Sequence, residues 1–460
     1  MPEVQATEIP GLLIVRLDLH TDDRGWFKEN WQRAKMTALG LPDFGPVQNN
    51  VSFNGSVGVT RGIHAEPWDK FVSVTTGRVF GAWVDLRDGP TFGVVVTQEI
   101  TPEIAVFVPR GVGNAYQVLA DQTAYSYLVN AHWRPDAIYT ELNLADPTAA
   151  VDWPIPLDDS RVQMSAKDAA NPFLDAVTPF AKPPVLVLGA NGQVGRALVA
   201  EFPEAVAVTR DQLDIADPDS IAGFDFSPYP VVINAAAYTA VDAAETDEGR
   251  IACWAANAQG PAALARAAAE HGFTLVHFSS DYVYDGTRAP HHEDEPLAPL
   301  GVYGQAKAAG DLAVSATARH YVLRTSWVIG DGHNFVRTMV RLADSGVSPS
   351  VVSDQRGRLT FATDLARVVR HLIGSAAPYG TYHVTGSGAP GSWADIARAV
   401  FGARGRSTDD VTDQTTADYS AGKVVAPRPA DSVLALDRLV ATGFDMPDMW
   451  VGLAEYLADA

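Results

Sequence analysis

Cysteine is almost missing from this chain. Its 460 residues contain one, Cys253, so no disulfide can form within the chain and a reducing compartment is expected. Basic charge is scarce as well: 34 Lys and Arg stand against 55 Asp and Glu, a formal net charge of −21. A surface that acidic repels nucleic acid and anionic membranes, so neither is an expected partner. Any anionic ligand must instead meet a local cluster of Arg, Lys or backbone N–H groups. No run of 18 apolar residues occurs, and the opening "MPEVQATEIPGLLIV" lacks a basic region followed by a long apolar stretch. Neither a membrane span nor a signal peptide is therefore expected, and a cytoplasmic location follows. What remains is ordinary for a folded protein, 47% hydrophobic and 19% charged, with a length suited to about two to four domains.

The chain has two rhythms. From about Leu12 to Asn130, short apolar runs such as "LLIVRLDL", "FVSVT", "RVFGAWVDL" and "AYSYLVN" alternate with Gly, Pro, Asp and Asn. Such spacing predicts an all-β jelly-roll or cupin-type barrel over residues 1–175. Helical periodicity there is weak outside "WQRAKMTALG". After Lys182 the pattern becomes strand, helix, strand: "VLVLG", "QVGRALVAEF", "AVAV", "VVINAAA", then a long Ala-rich helical stretch and "TLVHFSS". That alternation predicts a parallel α/β Rossmann fold over 185–460. The proline-rich stretch between them places a linker at 176–184.

"VLVLGANGQVG" sets Gly189, Gly192 and Gly195 directly after a strand and at the start of a helix. The first allows a tight turn, the second lets backbone approach a pyrophosphate, and the third permits close helix packing. The GxxGxxG spacing suits the short-chain dehydrogenase type of dinucleotide fold. No acid ends the next strand, "AVAVTRDQLD"; Thr209 and Arg210 stand there, and Arg210 suits a 2′-phosphate, favouring NADPH over NADH. "VYGQAKAAGD" holds Tyr303 and Lys307 one helical turn apart. An ammonium beside a phenol favours the phenolate, so Lys307 is expected to bring Tyr303 into the range of a usable acid, with Ser280 joining it at a substrate carbonyl.

With these residues in view, the half from about Pro184 to Ala460 resembles the dTDP-4-dehydrorhamnose reductases, an extended short-chain dehydrogenase family. The matching stretches are "GANGQVG", "VVINAAAYTAVDAAE", "FSSDYVYDG", "VYGQAKAAGD", "LRTSWVIG" and "VVSDQRGRLT". The resemblance implies that Ser280, Tyr303 and Lys307 deliver a proton while NAD(P)H delivers hydride to a 4-keto sugar. It implies that Tyr282 and Trp327 lie against the sugar. It also implies cofactor contacts from Asn191, Gln193, Val194, Asp214, Ile215, Ala235 and Ala236, besides the three glycines, Tyr303 and Lys307. Ser280 stands where the family usually has Thr, and Leu359 where it usually has Pro.

In the first half, "TRGIHAEPWDK" offers one histidine, His64, while His20 and His132 lie far off in sequence, so a metal site is disfavoured. Inverting a carbon next to a ketone needs a base on one face, an acid on the other and a cation for the enolate. A histidine near neutrality suits the first role. Lys70 suits the last. In these roles the stretch from residue 1 to about Asp168 resembles the dTDP-4-dehydrorhamnose 3,5-epimerases, through "DDRGWFKENW", "PVQNNVSFN", "TRGIHAE", "DKFVSVTTGRVF", "VDLRDGPTFG" and "SAKD". The resemblance implies His64 as base paired with Asp168, Lys70 at the enolate and Tyr127 as acid. It places Arg24, Glu29, Gln48, Asn50 and Arg61 at nucleotide-binding positions and suggests a homodimer through the barrel. Three departures stand out: "GNAY" for "AHGF", so that Asn114 replaces a histidine; "HAE" for "HYQ"; and His132–Trp133 for an aromatic pair.

The expected whole is a fused enzyme. Its first part would epimerise dTDP-4-dehydro-6-deoxy-glucose at C3 and C5, and its second would reduce the 4-ketone to dTDP-L-rhamnose. The alternatives are the same chemistry on another nucleotide 4-keto-sugar, with one carbon epimerised, or a non-catalytic nucleotide-sugar and NADP-binding regulator.

Overall fold

The computed structural model describes residues 3–133, 139–181, 183–375 and 377–458. The chain divides into two compact units, residues 1–182 and 183–460. Within the stretch 176–184, Val177 and Phe180 are buried, and Phe180 N donates to Leu86 O of the first unit; Lys182 lies outside the described residues.

The first unit is antiparallel throughout its two main sheets. One has six strands and begins with Glu3–Ala6 and Leu13–Arg16, continuing through Ile104–Val108, Lys70–Thr76 and Thr123–Val129 to the edge strand Gln48–Asn54. The other runs Thr140–Glu141, Thr60–Ala65, Val112–Val118, Val79–Asp85, Val95–Ile100. Val72, Val74, Trp83, Val106, Tyr116 and Tyr125 fill the space between them, as two sheets burying facing sides require. A short hairpin, Leu19–Asp22 with Gly25–Lys28, carries exposed Trp26 and Phe27.

One irregularity decides the site. Tyr116 pairs with Arg61 and Asn114 with His64, so two steps on one strand oppose three on the other. This is a β-bulge, and it turns Arg61 and His64 to the same side although strand alternation alone would oppose them. Gly62 lies inside it at φ +123, where a Cβ would come within 2.5 Å of Ala115 Cβ, so only glycine fits.

The second unit is built on a six-stranded parallel sheet in the order Val206–Val208, Val185–Leu188, Val231–Asn234, Thr274–Ser280, His320–Thr325, Gly380–His383. Both faces are covered, which explains the unbroken apolar run "VLVL": Val185 and Val187 pack with Leu198 and Leu365, while Leu186 and Leu188 pack with Leu264 and Phe226. The chain winds outward from Val185–Leu188 in both directions, so the crevice at the carboxyl ends of that strand and Val231–Asn234 is the place for a ligand. A third cluster, with Met339, Ile396, Phe401 and Leu453, forms a smaller helical body in the C-terminal part. No described helix is long and apolar enough to cross a membrane.

Candidate active sites

A cavity of about 760 Å³ opens in the first unit. His64, Arg61, Lys70, Tyr127 and Asp168 all line it, together with Asn114, Tyr116, Tyr125 and Glu66. His64 Nε2 lies 2.9 Å from Asp168 Oδ1. Asp168 is buried in the helix Ala166–Ala169, whose N-cap is Ser165, so the carboxylate is left for the histidine rather than spent on capping. Lys70 is buried at the start of its strand, with its ammonium 5.9 Å from the Tyr127 ring. Burial, then the nearby Glu66 charge, pushes the Tyr127 phenol above its ordinary value, so it holds its proton at neutral pH.

Four expected residues do not line this cavity. Arg24 is exposed and bonds Asp22, and Glu29 pairs with Lys35 at 2.9 Å. Both belong to the exposed hairpin and the segment after it. Gln48 and Asn50 sit on the edge strand, bonded to one another at 2.9 Å; Asn50 pairs opposite Tyr127 and shares its face, yet lies beyond the cavity wall. His20 and His132 are also off the cavity. Asn114 does take a place beside His64, its partner across the strands: it accepts from Trp83 Nε1 at 2.9 Å and from Tyr125 Oη at 3.2 Å. Tyr125 was legible only through parity, being two residues from Tyr127, whereas Glu66 stood in the departure "HAE" beside His64.

The second unit holds a larger cavity, about 1130 Å³, at the crevice named above. Gly189, Asn191, Gly192, Gln193, Val194, Asp214, Ile215, Ala235 and Ala236 line one part of it, and Ser280, Tyr282, Tyr303, Lys307 and Trp327 another. Gly195 does not; it packs underneath, where a Cβ would meet Gly189 O at 2.2 Å. Gly189 has φ +73, and a Cβ there would come within 2.6 Å of Ala236 N, so the first turn of the loop admits only glycine. The helix Gln193–Glu201 begins at its rim with N–H groups free of a side-chain cap, the form that receives a pyrophosphate. These residues fit a dinucleotide. Arg210 borders the cavity but is exposed and pairs with Asp214 at 3.0 Å, and Asp211 lies beside it, so the strand tip is less devoid of acids than its sequence suggested.

Tyr303 and Lys307 share the helix Val302–Ser315, which lies close against the Ser280–Tyr282 turn because Gly304 has no Cβ to strike Tyr282 O. Lys307 Nζ donates to Phe278 O at 2.6 Å, and burial lowers it to about 8, against the pull of Asp311. The expected lowering of Tyr303 is not what dominates. Burial, then Asp281, Tyr282 and Cys253, pushes the phenol well above its usual value, with the Ser280 hydrogen bond opposing. Tyr303 is thus fully protonated at rest, the form a proton donor needs. Asp281, next to Ser280, is raised to about 6 by burial and accepts from the Ser280 hydroxyl at 2.9 Å. Tyr282 stands edge-on to Tyr303 at 5.8 Å, while Trp327 stacks on Trp393 at 3.8 Å. Asp281 and Trp393 also line the cavity; Asp281 lies inside "FSSDYVYDG", whereas Trp393 carries no local signal in the sequence.

Sequence comparison adds to this geometry. Residues 6–176 match the family described as dTDP-4-dehydrorhamnose 3,5-epimerase, and residues 183–460 match the RmlD substrate binding domain. The chain belongs to both families. Its first part is 46% identical over 180 residues to the "Protein RmlC homolog" of Streptococcus pyogenes, covering 38% of this chain and 89% of the relative. Its second is 38% identical over 287 residues to the dTDP-4-dehydrorhamnose reductase of Burkholderia thailandensis, covering 57% of this chain and 94% of the relative. The same part is similar to the crystal structure of the Bacillus anthracis dTDP-4-dehydrorhamnose reductase in complex with NADP, at 32% identity and a TM-score of 0.56, covering 60% of this chain and 99% of that one. The fusion thus joins an RmlC-type barrel to an RmlD-type reductase.

Proposed function

We propose that this chain carries out two consecutive steps on one nucleotide sugar: 3,5-epimerisation of dTDP-4-dehydro-6-deoxy-D-glucose, then reduction of the 4-ketone to dTDP-L-rhamnose. Support comes above all from one arrangement, the His64–Asp168 pair facing Lys70 and Tyr127 across a single cavity. His64 takes the proton next to the ketone, held in register by Asp168. Lys70 steadies the enolate oxygen, and Tyr127 returns a proton from the other face. Arg61 is placed for the diphosphate.

In the second cavity a bound NAD(P)H supplies the hydride. Tyr303 gives its proton to the ketone oxygen, Ser280 turns its hydroxyl from Asp281 to donate to the same oxygen, and Lys307 stabilises the phenolate left behind. Tyr282 and Trp327 form walls for the sugar ring. NADPH is the preferred form, with Thr209 and Arg210 receiving the 2′-phosphate. This reading further includes a homodimer through the barrel, which the exposed Val51 and Phe53 of the edge strand and Trp26 and Phe27 of the hairpin support. A second copy would give Arg24, Glu29, Gln48 and Asn50 a site to complete. The lone buried thiol, Cys253, agrees with a cytoplasmic home.

NADPH oxidation on addition of dTDP-4-dehydro-6-deoxy-D-glucose tests this function. Oxidation is expected with that substrate. Tight cofactor binding without oxidation would favour the regulatory alternative and remove this one.

A further inference from the structure

The position two residues after the base is Gln in the epimerase pattern and Glu66 here. Its carboxylate lines the first cavity, and Oε2 lies 2.8 Å from Lys70 Nζ. Both side chains are withdrawn from water, at 17% and 6% relative exposure. The same oxygen accepts from Trp68 Nε1 at 2.5 Å, which fixes the carboxylate against the loop that joins the two strands.

A buried ammonium tends to lose its proton, because leaving water disfavours the charged form, and a carboxylate alongside reverses that tendency. Among the described residues, no other charged group lining the cavity can do this for Lys70. Asp168 is engaged by His64, while Arg61 is itself a cation and donates to Asn54. Tyr116, Tyr125 and Tyr127 present phenols. Asp69, next to Lys70 in the chain, is occupied by Arg110 and Asn130. A cation meant for an enolate must be charged before the enolate forms. We infer that Glu66 is the counter-ion of Lys70, a positioning residue that keeps the ammonium charged and aimed. The cost is a second anion competing with the enolate for the same cation. This inference rests on Lys70 acting at the enolate.

The test follows release of deuterium from substrate labelled at C3 or C5, in the full chain, at the same protein concentration at every pH. The C–D bond breaks, the deuteron passes to His64 and then to water, and the electron pair remains on the enolate. Tyr127→Phe serves as background, so that phenol ionisation does not enter. Adding Glu66→Gln, which keeps shape and an acceptor for Trp68, moves the alkaline limb of the release rate down by about one to three pH units, with KM little changed. Glu66→Asp, which keeps the charge, recovers part of the shift. An alkaline limb at the same pH with Gln as with Glu overturns the inference. Lys70→Met separates the two levels: undiminished release there defeats the enolate role of Lys70, whereas lost release with an unmoved limb in Glu66→Gln defeats the role of Glu66 alone.

Discussion

His64 Nε2 and Asp168 Oδ1 lie 2.9 Å apart although 104 residues separate them in the chain. The contact needs three things at once: the bulge at Gly62 that turns His64 inward, the short helix that presents Asp168, and Ser165 to cap it. Its consequence is an imidazole with a fixed orientation, as the proposed base requires. His64→Asn is expected to lower exchange at C3 and C5 by about 10²–10⁴-fold while the chain still reduces pre-epimerised dTDP-4-dehydro-L-rhamnose. Asp168→Ala is expected to lower exchange in the same sense. NMR of exchange in D₂O beside NADPH oxidation reads both; full exchange in His64→Asn dismisses this base.

Tyr303→Phe separates the sites from the other side. Loss of the phenolic proton is expected to stop hydride transfer by about 10²-fold or more while leaving exchange at C3 and C5 in place. Single-turnover NADPH oxidation measures the first and NMR the second. Loss of both would show that the two activities are not independent.

The alkaline limit of the reductase follows from Lys307, which burial lowers to about 8. In the proposed mechanism its ammonium supports the phenolate that Tyr303 becomes on giving up its proton. Below that pH the lysine is charged, and turnover is expected to be level; above it the charge is lost, and turnover falls. Lys307→Arg, which stays charged, is expected to abolish that limb even where it lowers the plateau. A pH profile of reduction with pre-epimerised substrate is the check.

Cofactor choice is testable at one residue. Arg210→Ala is expected to raise KM for NADPH by about tenfold, the equivalent of one charge-assisted hydrogen bond, and to leave KM for NADH little changed. Equal effects on both would assign Arg210 to its pair with Asp214 instead.

Much of this was legible in the sequence, for identifiable reasons. Glycines after an apolar run must turn or pack, and Tyr303 and Lys307 share a face because a helix repeats every 3.6 residues. Strand alternation likewise joins Tyr125 to Tyr127. What sequence could not provide was contact across the chain. Burial reversed the expected direction for Tyr303, because desolvation depends on neighbours distant in the chain, such as Asp281, Tyr282 and Cys253. Trp393 reached Trp327 only through tertiary packing. The change from Gln to Glu at position 66 was visible as a departure, but its partner Lys70 appeared only once both were buried together.

The central claim is that one chain inverts and then reduces the same sugar. It is met most directly by incubating the protein in D₂O with NADPH and dTDP-4-dehydro-6-deoxy-D-glucose and taking the NMR spectrum of the product. The expected product is dTDP-L-rhamnose with deuterium at both C3 and C5. A reduced sugar that keeps protium and its original configuration at either carbon would contradict it.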